Sequence, residues 1–184
     1  IHNISASGGF GNTTYRISAN LREKEGIVIN TGFEQFNSRA NISTRALNDK
    51  LKVDFNASFT QRQSSFGNDL VLKYATLFNP TAPVYTEGSE YFPGSSGDAI
   101  GGYFETFGLF DSFNPVSIAE QHDLTGERTE LNYNLSLGYD LTDDLDIQFR
   151  AARQTSVNQN RNYVPVTALL GGNALSPTRR GSAS

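Results

Sequence analysis

A chain of 184 residues is long enough for one ordinary domain or a piece of a large one, and its net charge of −4 argues against a nucleic-acid partner, which normally meets a basic face. With no cysteine there is no disulfide framework, thiolate metal site or cysteine nucleophile. No stretch approaches the ~18 unbroken apolar residues of a spanning helix. Apolar content of 37% and a mean hydropathy of −0.42 still leave room for a transmembrane β-barrel, which needs an apolar residue only at every second strand position. The chain opens at Ile1, with neither a methionine nor a secretory signal segment, and reads as an internal stretch of a longer one.

The dominant pattern along the chain is period two. Near residues 2–8, Ile4 and Ala6 oppose Asn3, Ser5 and Ser7, as successive side chains of a strand point to opposite faces. A turn at Gly9-Phe10-Gly11-Asn12 leads to a strand near 13–24, with Tyr15, Ile17, Ala19 and Leu21 against Arg16, Ser18, Asn20 and Arg22. After a longer connection at 25–33, the strand near 34–46 sets Phe36, Ser38, Ala40 and Ile42 against Asn37, Arg39, Asn41 and Ser43. Leu47-Asn48-Asp49-Lys50 is again turn-like, because Asn and Asp tolerate the positive φ of tight hairpins. The strand near 51–63 sets Leu51, Val53, Phe55, Ala57 and Phe59 against Lys52, Asp54, Asn56, Ser58 and Thr60.

A long insertion, 63–128, follows. Helical spacing over 69–78 predicts a helix that presents Leu70, Tyr74 and Leu77 inward and stops at Asn79-Pro80. Asn114-Pro115 opens a second helical turn near 117–122. Between them lie Tyr85, Tyr91, Phe92, Tyr103, Phe104, Phe107, Phe110 and Phe113, spaced by Gly, Ser and Pro. A loop this long is usually functional or disordered, and its aromatic content speaks against disorder. Two further strands are predicted near 129–140 and 145–157, joined by Leu141-Thr142-Asp143-Asp144, and a long tail follows Asn158.

Period two fits a soluble antiparallel sheet with one face in a core equally well. Three features favour a barrel: polar faces rich in Asn, Ser and Arg, runs of ~9–11 residues that would cross a bilayer on a tilt, and aromatics (Tyr15, Phe36, Phe59, Tyr139) near run ends, where an interfacial girdle would sit. A fourth is stronger. Short and long connections alternate strictly, as the tight periplasmic turns and long external loops of outer-membrane barrels do. The expected fold is therefore all-β: an antiparallel transmembrane β-barrel segment of about six strands, with short helices in its external loops and with residues 63–128 as the longest of these.

Motifs along nearly the whole chain resemble the SusC/RagA-like family of TonB-dependent transporters. They are His2-Asn3-Ile4-Ser5-Ala6-Ser7-Gly8-Gly9 followed by Thr14-Tyr15-Arg16-Ile17-Ser18, then Glu25-Gly26-Ile27-Val28 with Phe36-Asn37-Ser38-Arg39-Ala40-Asn41. Leu51-Lys52-Val53, Asn79-Pro80-Thr81-Ala82-Pro83-Val84-Tyr85 and Asn114-Pro115-Val116 follow in the family's order. The resemblance implies a barrel of about 22 strands with a plugged lumen, in the outer membrane and in contact with its lipid. It implies coupling to the TonB complex through a plug region that precedes this stretch and is absent from it, a SusD-like surface lipoprotein as lid, and import of a bulky nutrient such as a glycan or peptide. A non-transporting surface β-protein for binding or adhesion is the alternative, and a glycan-active enzyme a weaker one.

Enzyme chemistry finds little support in the residues. Asp143-Asp144 sits in a predicted turn, and Asp98, Glu105 and Asp111 supply a glycosidase pair only as any loop of this size would. His2 and His122 are far apart in sequence, which leaves a triad or a histidine metal site little to work with. Gly8-Gly9-Phe10-Gly11 precedes no helix and is not a phosphate loop. No catalytic residue, metal or cofactor is assigned. Arg16, Arg39, Arg45 and Arg150 are the lumen-facing candidates, expected to meet acids of the plug or lumen rather than a bound anion. Tyr85, Tyr91, Phe92, Tyr103 and Phe104 are the substrate- or lid-contact candidates, with packing of the loop against itself the preferred reading of its aromatics.

Overall fold

The computed structural model describes residues 1–86, 100–105, 113–142, 144–171 and 182–183. Strands β1 (His2–Phe10), β2 (Thr13–Glu25), β3 (Gly32–Ala46), β4 (Leu51–Phe66), β5 (Asp123–Thr142), β6 (Leu145–Val164) and the short β7 (Ser182–Ala183) form one antiparallel sheet in chain order. Helices α1 (Leu70–Leu77) and α2 (Pro115–Gln121) lie in the connection between β4 and β5. The five strands β2 to β6 run for 13 to 20 residues, well beyond the ~5–6 typical of soluble sheets.

All six expected strands are present, and several outrun the alternating pattern. β4 continues to Phe66, β5 starts at Asp123 and β6 reaches Val164, so the insertion narrows from 63–128 to 67–122. The added ends are rich in polar residues, such as Asn158, Asn160 and Asn162 on β6. Backbone ladders need no alternation; only a sheet with one apolar face does. The connections at 11–12 and 47–50 are tight and only two residues separate β5 from β6, whereas the connections at 26–31, 67–122 and 165–181 are longer. Gly11 (φ 57°) makes the first turn. In the second, Leu47, Asn48 and Asp49 all take positive φ, at 54°, 57° and 66°. Asn and Asp bear this conformation readily, and Leu47 is the strained member.

Contacts divide the chain into two compact units. The first comprises residues 1–24, 33–63 and 127–159; the second comprises 25–32, 64–126 and 160–184. In the first, the β1/β2 register pairs Ile4 with Ala19 and Ala6 with Ile17, and Asn3 with Asn20, Ser5 with Ser18 and Ser7 with Arg16. Apolar faces apolar and polar faces polar, as the alternation demands. Gly8 sits opposite Tyr15, whose ring fills the space a side chain at Gly8 would need, with the hydroxyl 2.6 Å from an added Cβ. Phe36 and Phe59 meet on the apolar face, their rings 6.4 Å apart.

Among the described residues, no core lies over that apolar face. Ile17, Leu131, Ile147 and Phe149 stay 41–56% exposed, and β6 is exposed along its whole length before Val164. A soluble sheet would bury this face, since burial of each such side chain is worth ~1.5–3 kcal/mol. Such a pattern is that of a transmembrane β-barrel wall.

The buried core lies instead in the second unit, where Val71 and Tyr74 of α1 pack on Ile118 and Ala119 of α2, with Val28, Phe113 and Leu170 against them. Tyr74 meets Phe113 edge-to-face at 5.1 Å. One expectation for α1 is corrected here. Tyr74 does point inward, but Leu70 and Leu77 are exposed (37% and 58%), and Val71 takes the core position. Residues three apart share a face, and the face carrying 71 and 74 is the one that α2 covers. α1 ends at Phe78, already extended (ψ 143°), just before Asn79-Pro80.

Candidate functional site

Two groupings in the described residues carry the candidate positions. The first is the polar face of the first unit. Asn20 donates to Asn3 Oδ1, Asn37 Nδ2 donates to Asn20 Oδ1 at 3.2 Å, and Thr60 Oγ1 donates to Asn37 Oδ1 at 3.0 Å. Gln35 Nε2 adds a bond to the same Asn37 oxygen at 2.9 Å. One row of amides and hydroxyls thus crosses β1 to β4. Beside it is a hollow of about 510 Å³ whose lining includes Arg16, Arg39, Asn20, Asn37, Thr60 and Asn132. Arg16 and Arg39 are therefore brought together on one polar surface. Arg45 and Arg150 are not part of that hollow: Arg45 adjoins the 47–50 turn, its backbone N–H donating to Asn12 O at 3.1 Å, and Arg150 Nη2 donates to Gln148 Oε1 at 3.2 Å.

The second grouping is the loop assembly of the second unit. Asn114, 1% exposed, organises it. Its Oδ1 accepts from the backbone N–H groups of Val116 (3.0 Å) and Ser117 (3.4 Å) and so caps α2, with Pro115 at the first helical position. Its Nδ2 donates to the carbonyls of Val84 (2.8 Å) and Phe104 (3.0 Å). Its own backbone N–H donates to Glu105 Oε2 at 2.8 Å. Burial pushes the Glu105 carboxyl up to about 7, and the Asn114 N–H and the Ser117 hydroxyl pull only partly against it.

An isolated bridge pairs Tyr85 with Tyr103, with ring centroids 5.5 Å apart. Both hydroxyls face Glu120 Oε2, Tyr103 donating at 2.6 Å and Tyr85 at 3.5 Å. Burial first, and then the Glu120 carboxylate, hold the Tyr103 hydroxyl well above its ordinary pKa. Tyr103 and Phe104 are buried, so they pack the loop, whereas Tyr85 is 50% exposed and presents its ring to solvent. Tyr91 and Phe92 lie outside the described residues, as do Asp98, Asp111, Phe107 and Phe110.

His122, weighed in the sequence only as a poor metal ligand, closes this assembly. Its Nε2–H donates to the Leu170 carbonyl at 2.8 Å, which leaves Nδ1 to accept from Asn68 Nδ2, also at 2.8 Å. Burial lowers its pKa, with the Leu170 bond working against that shift. Asn68 in turn accepts the Leu70 N–H at the start of α1 at 2.9 Å. One neutral imidazole therefore joins the start of the 67–122 connection, its end, and the segment after β6. Glu105, once weighed as half of a carboxylate pair, instead serves as an acceptor for the α2 cap.

The polar row and the Asn114 hub were not singled out from the sequence. Two steps of the row were latent in it: the tight turns at 11–12 and 47–50 fix which residues of β1 and β2, and of β3 and β4, stand level. The hub had only the Asn-Pro dipeptide as signal.

Together these observations define the class of structure: one antiparallel sheet of long strands, apolar and exposed on one face, polar on the other, built like the wall of a transmembrane β-barrel. The chain is similar to curated TonB-dependent receptors, in keeping with the resemblance in its motifs. It is 28% identical over 114 residues to TonB-dependent receptor SusC of Bacteroides thetaiotaomicron, covering 61% of this chain and 11% of that protein. TonB-dependent receptor P26 of Formosa agariphila is 38% identical over 93 residues, 48% of this chain and 9% of the relative. TonB-dependent receptor P3 of the same organism is 25% identical over 178 residues, 91% of this chain and 16% of the relative. No protein-family model matches. The chain spans less than a fifth of the length of each of these relatives.

Proposed function

We propose that this chain is part of the barrel domain of a TonB-dependent outer-membrane transporter that imports a bulky nutrient, a glycan or a peptide. Its apolar face meets lipid and its polar face the lumen, where Arg16, Arg39, Arg45 and Arg150 meet acidic groups. The 67–122 connection stands outside the cell at the mouth. There Tyr85 is the candidate contact for substrate or for a SusD-like lipoprotein lid, with Tyr91 and Phe92 beside it in sequence. Tyr103 packs beside Tyr85, and the Phe104 N–H bonds the carbonyl of Val84, the residue before Tyr85. Coupling to TonB runs through a plug region elsewhere in the protein.

The observation that supports this reading best is the uncovered apolar face of a sheet whose long connections recur after every second strand, in a chain similar to named TonB-dependent receptors. Sidedness is its sharpest test. In the full-length protein, Leu72→Cys on exposed α1 should react with a membrane-impermeant maleimide on intact cells. Lys50→Cys, in a tight turn, should react only after the outer membrane is breached. The reverse pattern would overturn the orientation, and loss of the gene without effect on growth on any glycan or peptide would overturn import.

A further inference from the structure

Within the second unit, the bonds around His122 fit only one charge state of its ring. Nε2 lies 2.8 Å from the Leu170 carbonyl, which can only accept, so Nε2 carries a proton. Nδ1 lies 2.8 Å from Asn68 Nδ2. The Asn68 amide is held in that sense from its other end, because its Oδ1 accepts the Leu70 N–H at 2.9 Å. Nδ1 therefore accepts, and the imidazole is neutral. We propose that His122 is an acid-released latch on the start of α1: a proton taken up at Nδ1 detaches Asn68, and the 67–70 segment comes away while Leu170 stays bound.

A proton at Nδ1 turns the acceptor into a donor, so that Nδ1–H and the Asn68 amide N–H face each other. Turning the Asn68 amide over does not cure this. Oδ1 would then take the Nδ1–H, but Nδ2 would meet the Leu70 N–H, and either arrangement opposes two donors with no acceptor between them. The Leu170 side is indifferent, since Nε2–H donates in both charge states. Asn68 is also what starts α1. Asp69, at the N-cap position, makes no side-chain cap bond, whereas the Leu70 N–H goes to Asn68 Oδ1 and the Val71 N–H to Asn68 O at 3.0 Å. Val71 and Tyr74 then pack on Ile118 and Ala119. The charge of one ring thus bears on the first turn of a helix that supplies half of this core.

The charged groups around the ring are engaged or in water. Glu120 of α2 accepts from the Tyr103 and Tyr85 hydroxyls, Glu105 from the Asn114 N–H, and Lys73 of α1 lies over the Tyr74 ring at 5.0 Å. Asp69 beside Asn68, Asp123 at the start of β5 and Arg161 on β6 are exposed, and 165–171 carries no titratable side chain. His122 caps the C-terminal end of α2, where a cation is favoured, but its ring reaches the N-terminal end of α1, where one is not. Burial is the larger influence on the ring and lowers its pKa from the ordinary 6.5, against the Leu170 bond. Stability tied to a depressed histidine pKa is complete above the unfolded value and is lost as pH falls through the folded one. The release therefore lies on the acid side of 6.5 and is opposite in sign to the loss on raising pH that the buried Glu105 carboxyl produces.

Hydrogen exchange on the solubilised full-length protein tests this, with E105Q present throughout so that Glu105 does not titrate. Corrected for intrinsic pH dependence, protection of the Leu70 and Val71 amides should fall about fivefold or more between about pH 7.5 and pH 5, with β2 and β3 unchanged. H122Q offers one donor and one acceptor in a single charge state and should keep that protection flat. N68D should keep it too, because a carboxylate accepts from both Nδ1–H and the Leu70 N–H. It should also raise the His122 titration midpoint, read by NMR of labelled histidine, from a value below 6.5 in the parent. If E105Q itself loosens the assembly at neutral pH, the wild type and H122Q are compared at each pH instead, where the Glu105 contribution cancels. The latch is overturned by a flat profile in the protein that retains His122, by H122Q or N68D losing protection in acid as the parent does, or by a His122 midpoint above 6.5 in the parent. None of these readouts involves uptake, so the latch and the transport reading stand or fall separately.

Discussion

Replacing Asn114 with alanine removes four hydrogen bonds from a side chain that is 1% exposed. Two of them cap α2, and the loss of an N-cap of this kind costs ~1 kcal/mol. The other two take a donor from the Val84 carbonyl, which keeps the Phe104 N–H at 3.0 Å, and from the Phe104 carbonyl, at ~1–3 kcal/mol for the pair. A fair total is about 3 kcal/mol. The core of the second unit is small, with Val71, Tyr74, Ile118 and Ala119 at its centre, so the cost falls on local opening rather than on the sheet. Three kilocalories correspond to roughly a hundredfold rise in the open population. Hydrogen exchange on the full-length protein should therefore show the Ile118 and His122 amides, bonded at 3.2 and 3.3 Å to Asn114 O and Ile118 O, exchanging about a hundredfold faster, with β2 and β3 unchanged. Protection of those amides within threefold of the wild type would refute Asn114 as the hub.

Two other outcomes follow from the same physics. Glu105 has its pKa raised by burial from 4.5 to about 7, so the stabilisation of the loop assembly is fully present below pH ~4.5 and is lost as pH rises through 7. Exchange of the Asn114 amide, corrected for its intrinsic pH dependence, should speed up between pH 5 and 8, and E105Q should flatten that profile; a flat wild-type profile would refute the buried neutral acid. At mid-strand on β5, Leu131→Arg on the apolar face should cost ~2–4 kcal/mol in lipid and cut the amount of folded protein recovered from outer membranes, whereas Asn132→Arg on the polar face should not. Equal recovery of the two variants would remove lipid from the apolar face.

What could be read in the sequence divides along physical lines. The strands were legible because a sheet with one apolar face imposes period two on every residue of a run, and Leu131, Tyr133, Leu135, Leu137 and Tyr139 obey it without exception. Their ends were not, because ladder bonds beyond that region place no demand on side chains, and so 158–162 on β6 carry no pattern. The α1 helix was legible from its spacing, but its buried face was not. Leu70 and Leu77 are more apolar than Tyr74, and only the position of α2 decides that Val71 is covered in their place.

The site residues divide in the same way. A tight turn fixes register, and register with period two fixes which side chains stand level across a sheet. The turns at 11–12 and 47–50 therefore set Asn3 level with Asn20 and Asn37 beside Thr60, but the step from Asn20 to Asn37 crosses the longer 26–31 connection, so that part of the row, and the placing of Arg22 and Arg62 on either side of β3, was not fixed by a tight turn. Phe33 is the residue that arithmetic alone would have misjudged. An aromatic at the start of β3, in step with Gln35 and Asn37, breaks the polar sequence of that face, and a reading by pattern would treat it as noise. In three dimensions it is the surface against which two cations rest. A large apolar residue on a polar face is costly unless something covers it, and here long arginine side chains do so with their own flat groups.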